Sequence, residues 1–178
     1  AKRELRRRAG QTQDPLVEEA LGWRDALNEP DRGLGPYEYQ DEEGNVIEDA
    51  RDLAIDLLVD RAQEIEQSQG RAKAVSFHDI AHGKATPLML MVDHWLAAHP
   101  MKPRQQIDYR RAITKLETWL AADGLSATLE GVTRRVAGRY ISEAFVEGGI
   151  HPRTANKDIS CLSSYWKWLV KKGCATEN

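Results

Sequence analysis

Residues 151–178 read HPRTANKDISCLSSYWKWLVKKGCATEN and contain the clearest helical pattern in the chain. His151-Pro152 is typical of a helix start, and Gly173 is typical of a helix end. Between them, apolar residues recur at every third or fourth position, namely Ala155, Ile159, Leu162, Trp166 and Leu169. This spacing predicts a long amphipathic helix whose apolar side faces a core.

The opposite side of this helix is basic and polar and contains no acid. Its residues recur at the same spacing and are Arg153, Lys157, Ser160, Ser164, Lys167 and Lys171, with Asn156 beside them near the start. Such side chains bind phosphate oxygens, and Arg153, Asn156 and Lys157 also suit the edges of bases. The alternative is an ordinary solvated helix face, although such faces usually mix charges of both signs.

Three further helices are predicted upstream of this one. Their start and stop signals are Thr86-Pro87 to His99-Pro100, Pro103 to Asp123-Gly124, and Thr133 to Gly148-Gly149. Because short or moderate connections join the four helices, residues 86–178 are predicted to form a compact all-α domain.

Basic residues also lie away from the apolar sides of the second and third of these helices. The candidates are Arg104, Gln105, Arg110, Arg111 and Lys115 on the second helix, and Arg135 and Arg139, beside Arg134, on the third. Asp108 is the one acid on that side of the second helix. Cations at the start of the third helix oppose the helix dipole, which favours an external anion as their partner. The alternative is that Arg134 or Arg139 pairs with Glu130 or Glu143 on the surface.

Residues 1–85 form a helical, acidic N-terminal segment. Two helices are predicted, over about 15–29 and 48–68, with a possible pair of short strands between Tyr37 and Ile47. Residues 69–85 are predicted to be a linker with one short helical turn at 76–82, and residues 1–10 resemble the end of a helix already under way. Between positions 14 and 66 there are 4 Lys and Arg against 17 Asp and Glu, so this span is no obvious DNA binder.

Composition and charge narrow the class of protein. The chain has 178 residues, of which 41% are hydrophobic and 30% charged, as in globular proteins. Residues 1–80 contain 11 Lys and Arg against 19 Asp and Glu, and residues 81–178 contain 14 against 9. The second region therefore has the positive charge that a DNA-binding surface needs. Because no apolar run exceeds a few residues, we expect no membrane segment and a cytoplasmic protein.

The sequence contains no recognisable catalytic or metal site. His78 and His82 are four residues apart, a spacing that suits a divalent metal, but no third ligand is indicated, and we interpret them as surface histidines. Cys161 and Cys174 are too few for a disulfide framework and are expected to be free thiols. We expect no catalytic residue, metal, cofactor or small-molecule substrate in this chain.

Three segments together resemble the core-binding domain of tyrosine recombinases, the phage integrase family. Residues 151–178 resemble its last helix: Thr154 and Asn156 open the helix, Ile-Ser-x-Leu follows at 159–162, and aromatic residues precede the Lys-Lys-Gly at 171–173. QQIDYRRAITKLETWLAADG at 105–124 resembles its second helix, and LEGVTRRVAGRYISEAFVEGG at 129–149 resembles its third. The resemblance covers residues 86–178 and adds Thr154 to the candidate DNA-binding residues.

The resemblance implies a SAM-like four-helix bundle that grips one side of a recombination site in double-stranded DNA. In the family, a separate catalytic domain closes on the other side and supplies an Arg, a Lys, a His-x-x-Arg pair and a nucleophilic Tyr for strand exchange. This chain contains none of that machinery, so we expect a bacterial or phage-encoded, non-catalytic fragment whose Tyr140 and Tyr165 are structural. Other recombinase protomers would be its partners in the full-length complex. Two alternatives stay open, a protein-interaction module and a helix-turn-helix transcription regulator.

Overall fold

The computed structural model describes residues 14–29 and 34–175, so the helix expected at 1–10 lies outside the described residues. The described chain is mostly helical, in agreement with the all-α prediction, and contains one two-stranded sheet. It divides into two compact units between Ala85 and Thr86. In the described ranges, every helix is too short or too polar to cross a membrane.

The first unit contains three helices and the sheet. They are α1 (Pro15–Asn28), β1 (Glu38–Gln40), β2 (Val46–Asp49), α2 (Ala50–Gln69) and α3 (Arg71–Ala81). The strands pair antiparallel, with Tyr39 opposite Glu48, which confirms the predicted strand pair. The side chain of Asp49 accepts hydrogen bonds from the backbone N–H groups of Arg51 and Asp52, so α2 starts two residues later than predicted.

The prediction of a linker over 69–85 is wrong, because α3 is a full helix of 11 residues. Its Ala74, Phe77, Ile80 and Ala81 are buried in the core that α1 and α2 also supply. Gly70, with a φ of 91°, turns the chain between α2 and α3. The spacing of Ala74, Phe77, Ile80 and Ala81 is that of one buried side of a short helix, and this signal extends beyond the single turn predicted at 76–82.

The second unit consists of α4 (Val92–Ala97), α5 (Pro103–Ala122), α6 (Arg134–Tyr140), a π-helical continuation at Ile141–Glu147, and α7 (Pro152–Lys171). Helix α4 is shorter than the predicted helix that starts at Thr86-Pro87. The reason is a bridge to the loop before α6: the Leu88 N–H donates to the Ala127 carbonyl at 2.9 Å, and the Leu129 N–H donates to the Thr86 carbonyl at 2.8 Å. A backbone carbonyl that accepts a hydrogen bond across this bridge, such as that of Thr86, is not used for a hydrogen bond within a helix.

Buried aromatic side chains of α4 and α7 pack against each other at the centre of the core of this unit. Trp95 and Tyr165 are both buried, with ring centroids 5.0 Å apart. The Tyr165 hydroxyl donates to the Leu88 carbonyl at 2.9 Å, so this tyrosine is structural, as expected. Burial raises the pKa of Tyr140, the second expected structural tyrosine, to about 12.

The buried side of α7 differs from the predicted one. Ala155 and Leu169 are buried as predicted, but Ile159, Leu162 and Trp166 are only partly buried. Asp158, Cys161 and Tyr165 are buried beside them, which places the inward direction roughly 60° away from the predicted stripe at 100° per residue. Helix α7 packs against both α4 and α5, and this rotated side is the one that faces them.

We predict that residues 86–178 fold cooperatively without the first unit. The core formed by α4, α5, α6 and α7 is composed entirely of residues from position 88 onward. Circular dichroism of a fragment that starts at Lys84 should show a single cooperative thermal transition. A non-cooperative or absent transition would contradict the independence of this core.

We also predict unequal effects of two tryptophan truncations. Trp95→Ala should lower the free energy of unfolding by about 3–5 kcal/mol, because its side chain is completely buried. Trp166→Ala should cost less, because Trp166 is only partly buried. Urea denaturation of both variants checks the order, and equal losses would show that the core is not centred on Trp95.

Candidate nucleic-acid interface

The outward surface of α7 carries the predicted polar residues. Arg153, Thr154, Asn156, Lys157, Ser160, Lys167 and Lys171 are exposed and Ser164 is half-buried; we call this surface the α7 polar face. The His151 ring accepts a hydrogen bond from the Arg153 backbone N–H at 3.2 Å and caps the helix. Among the described residues, no carboxylate lies within 4.0 Å of the charged groups of Arg153, Lys167 or Lys171. As far as the described residues extend, these three cations are available to an external anion.

Helix α5 runs against α7 and contributes a second group of charged residues. Lys157 of α7 donates to Asp108 of α5, with 2.5 Å between Nζ and Oδ2. Arg111 donates to the other oxygen of the same carboxylate, with 3.3 Å between Nη2 and Oδ1. We call the contact formed by Asp108, Arg111, Lys115, Lys157 and Asp158 the α5–α7 seam. The α7 polar face has no acid of its own, but the seam supplies one beside Lys157.

Positive charge surrounds the Asp108 carboxylate. The hydrogen bond from Lys157 lowers the pKa of Asp108 below its ordinary value, and the charges of Lys157, Arg111 and Arg104 act in the same direction. Asp108 therefore stays ionised at neutral pH and neutralises only one of the three cations around it. The surface at this end of the seam keeps a net positive charge.

The deeper end of the seam is an ion pair between Lys115 and Asp158. The distance from Lys115 Nζ to Asp158 Oδ2 is 2.6 Å, and the Asp158 side chain is 1% exposed. Its other oxygen, Oδ1, has no hydrogen-bond partner among the described residues. A buried carboxylate in this situation depends on its cation, so Lys115 has a structural role that its predicted place on the DNA-binding surface did not include.

Two other predicted arginines also have partners within the unit. Arg110 pairs with Asp93 of α4, and at 100° per residue its direction from α5 is roughly 160° away from that of Asp108. Arg139 pairs with Asp123 at 2.9 Å and with Glu143 at 3.0 Å. These carboxylates raise the pKa of Arg139, whose guanidinium lies 5.5 Å from the centre of the Trp119 ring.

The alternative interpretation of the third predicted helix is therefore correct for Arg139 and Glu143. Glu130, the other acid considered there, instead accepts a hydrogen bond from the Thr86 backbone N–H at 2.8 Å. Arg135 is exposed at the start of α6. Arg104 and Gln105 are exposed in the first turn of α5. The structure thus brings Arg111 to the same carboxylate as Lys157, with the charge of Arg104 also acting on it, and it pairs Arg110 and Arg139 with other carboxylates.

Asp158 is the residue that the sequence interpretation missed. It lies three residues after Ala155 and three before Cys161, so it shares the buried side of α7. An acid at a position of the apolar repeat, with a cation available on a neighbouring helix, is the signal that would have revealed it. Burial and the charge of Asp158 raise the pKa of the Cys161 thiol, which is buried and free.

The histidine pair considered as a possible metal site lies in the first unit. His78 and His82 lie side by side in the first unit, with ring centroids 4.3 Å apart. Across residues 14–29 and 34–175, no three His, Cys, Asp or Glu side chains form a group that could hold a metal ion. Desolvation, followed by the nearby His78, lowers the pKa of His82.

Comparisons with known proteins give no independent assignment. No family model, no curated protein and no solved structure matches this chain. The arrangement of charges on α5 and α7 is therefore the basis for a functional proposal.

We predict that Lys115→Met destabilises the protein more than Asp158→Asn does. Removal of the lysine leaves a buried carboxylate without its cation, which should cost about 2 kcal/mol or more. Asp158→Asn removes the charge and keeps an oxygen that accepts from Lys115. Chemical denaturation at neutral pH measures both losses, and the double variant should recover part of the Lys115→Met loss. A Lys115→Met loss equal to or smaller than that of Asp158→Asn would contradict the structural role of this pair.

Proposed function

We propose that residues 86–178 bind double-stranded DNA as the core-binding region of a tyrosine recombinase. The observation that carries this proposal is the α7 polar face, where Arg153, Lys167 and Lys171 are exposed and lack a carboxylate partner among the described residues. From Arg153 to Lys171 the helix rises about 27 Å, which is enough to follow phosphates over most of one turn of DNA.

The seam extends this surface onto a second helix. Arg111 of α5 and Lys157 of α7 both contact the Asp108 carboxylate, and the charge of Arg104 also acts on it. Two helices that present adjacent cations contact more of the duplex than one helix does. This favours one half of a DNA clamp over a reader that inserts a single recognition helix.

The residue types of the α7 polar face suit contacts with both the DNA backbone and the DNA bases. Lys167 and Lys171, at the far end of α7, suit phosphate oxygens. Arg153 and Asn156 lie in the first two turns, where backbone N–H groups and side chains together can reach phosphates or base edges. Thr154, Ser160 and Ser164 add hydroxyl groups to the same face.

The recombinase assignment rests on the order of α4, α5, α6 and α7 together with the resemblance of residues 105–124, 129–149 and 151–178. In this proposal the four helices form the SAM-like bundle, and other protomers join it on the recombination site. The segment itself grips DNA and does not cleave it. In the family that the segment resembles, strand cleavage and rejoining belong to a separate catalytic domain.

The proposal predicts salt-dependent binding to duplex DNA. The full chain should bind a labelled duplex of about 25 base pairs, with the logarithm of the binding constant falling linearly with the logarithm of salt concentration. Arg153→Ala and Lys167→Ala should each weaken binding and reduce the slope by about 0.9 if each cation contacts one phosphate. Lys73→Ala, an exposed lysine of α3, is the matched control and should change neither value.

The same titration separates the alternatives. A protein-interaction module would show no salt-dependent DNA binding. A helix-turn-helix regulator that reads DNA with α7 alone would be unaffected by Arg104→Ala and Arg111→Ala, whereas the clamp predicts that both weaken binding. Unchanged affinity and slope in Arg153→Ala and Lys157→Ala would show that the α7 polar face is not the DNA-binding surface.

A further inference from the structure

We propose that Asp108 acts as an internal substitute for a DNA phosphate, and that DNA binding exchanges this carboxylate for a backbone phosphate on Arg111 and Lys157. The inference rests on the proposed function and adds a negative regulator of affinity to it. Asp108 would then lower the affinity of the protein for any DNA sequence, in addition to joining α5 to α7.

The geometry of the carboxylate is that of a bridging oxyanion. One oxygen accepts from Lys157 at 2.5 Å and the other accepts from Arg111 at 3.3 Å. The two cations come from different helices and bind one anion between them. A phosphate group, which also has several acceptor oxygens, can be bound in the same way. In the described part of the chain, Asp108 is the carboxylate that has two basic side chains within 4.0 Å.

The exposure of the three side chains permits an exchange. The Lys157 side chain is 50% exposed and the Arg111 side chain is 53% exposed, whereas Asp108 is only 19% exposed. Each cation therefore keeps about half of its surface open to solvent. An incoming phosphate reaches both cations without any movement of the helices, because long side chains reorient readily.

The neighbouring ion pairs lack these properties. The Asp158 carboxylate is 1% exposed, so its exchange for a phosphate would require the seam to open. Asp93 is 23% exposed, similar to Asp108, but it pairs with Arg110 on the other side of α5. Asp93 is therefore a matched control: it is a half-buried carboxylate of the same unit, and its partner Arg110 is not one of the cations assigned to the DNA surface.

A structural role and a regulatory role predict opposite effects on DNA binding. If Asp108 only joins the helices, Asp108→Asn loosens the seam and leaves DNA affinity unchanged or lower. If Asp108 competes with phosphate, Asp108→Asn removes a negative charge from the interface and frees two cations. Affinity should then rise about two- to fivefold at 0.1 M salt, since an exposed charge contact contributes up to about that factor.

The experiment compares the full-length wild type, Asp108→Asn and Asp93→Asn in the same duplex titration across a range of salt, with the thermal midpoint of each protein. Asp108→Asn should bind more tightly, with a steeper salt dependence, although its thermal midpoint falls. Asp93→Asn should lower the thermal midpoint without raising affinity. In the Asp108→Asn background, Lys157→Ala should lose more affinity than it does in the wild type, because Lys157 is then fully available to DNA.

The inference is overturned if folded Asp108→Asn binds DNA no more tightly than the wild type, or if Asp93→Asn produces the same gain. Should Asp108→Asn fail to fold, Asp108→Ser serves as the second variant, with the same expected gain. Failure of the proposed function gives a different result, since the wild type itself would then show no salt-dependent binding to the duplex.

Discussion

The buried carboxylate of Asp158 is the constraint on which the arrangement of the second unit depends. A charge with 1% exposure requires a partner, and the 2.6 Å contact with Lys115 provides one from α5. This contact fixes the position of α7 along α5. It thereby places Lys157 beside Asp108 and leaves Arg153, Lys167 and Lys171 on the outward side. The same pair that satisfies the core thus orients the surface we assign to DNA.

The cations of this unit fall into three groups, and only the structure separates them. Lys115, Arg110 and Arg139 are held by carboxylates of their own unit. Arg111 and Lys157 share Asp108 and remain half exposed. The α7 polar face supplies the third group, the cations that lack a described carboxylate partner. A positive net charge in the second half of the sequence consequently overstates the charge that is free to meet DNA.

Features that depend on neighbouring residues could be predicted from the sequence, whereas features that depend on contacts between distant residues could not. The caps and apolar spacing of α5 and α7 were sufficient for those helices, because the information lies within about twenty consecutive residues. Helix α4 was predicted too long, since the bridge between Leu88 and Ala127 joins residues far apart in the sequence. The α7 polar face followed from helical periodicity. The pairs Lys115–Asp158 and Asp108–Lys157 span 43 and 49 residues, so periodicity within one helix could not reveal them.

Nuclear magnetic resonance can show whether α5 and α7 together bind DNA. Duplex DNA of about 25 base pairs would be added to the ¹⁵N-labelled full chain at low salt. If the two helices form the DNA-binding surface, amide signals of residues 104–111 and 153–171 should shift, and those of residues 38–49, in the acidic sheet and its turn, should not. Unchanged spectra, or shifts confined to the first unit, would contradict this assignment of the surface.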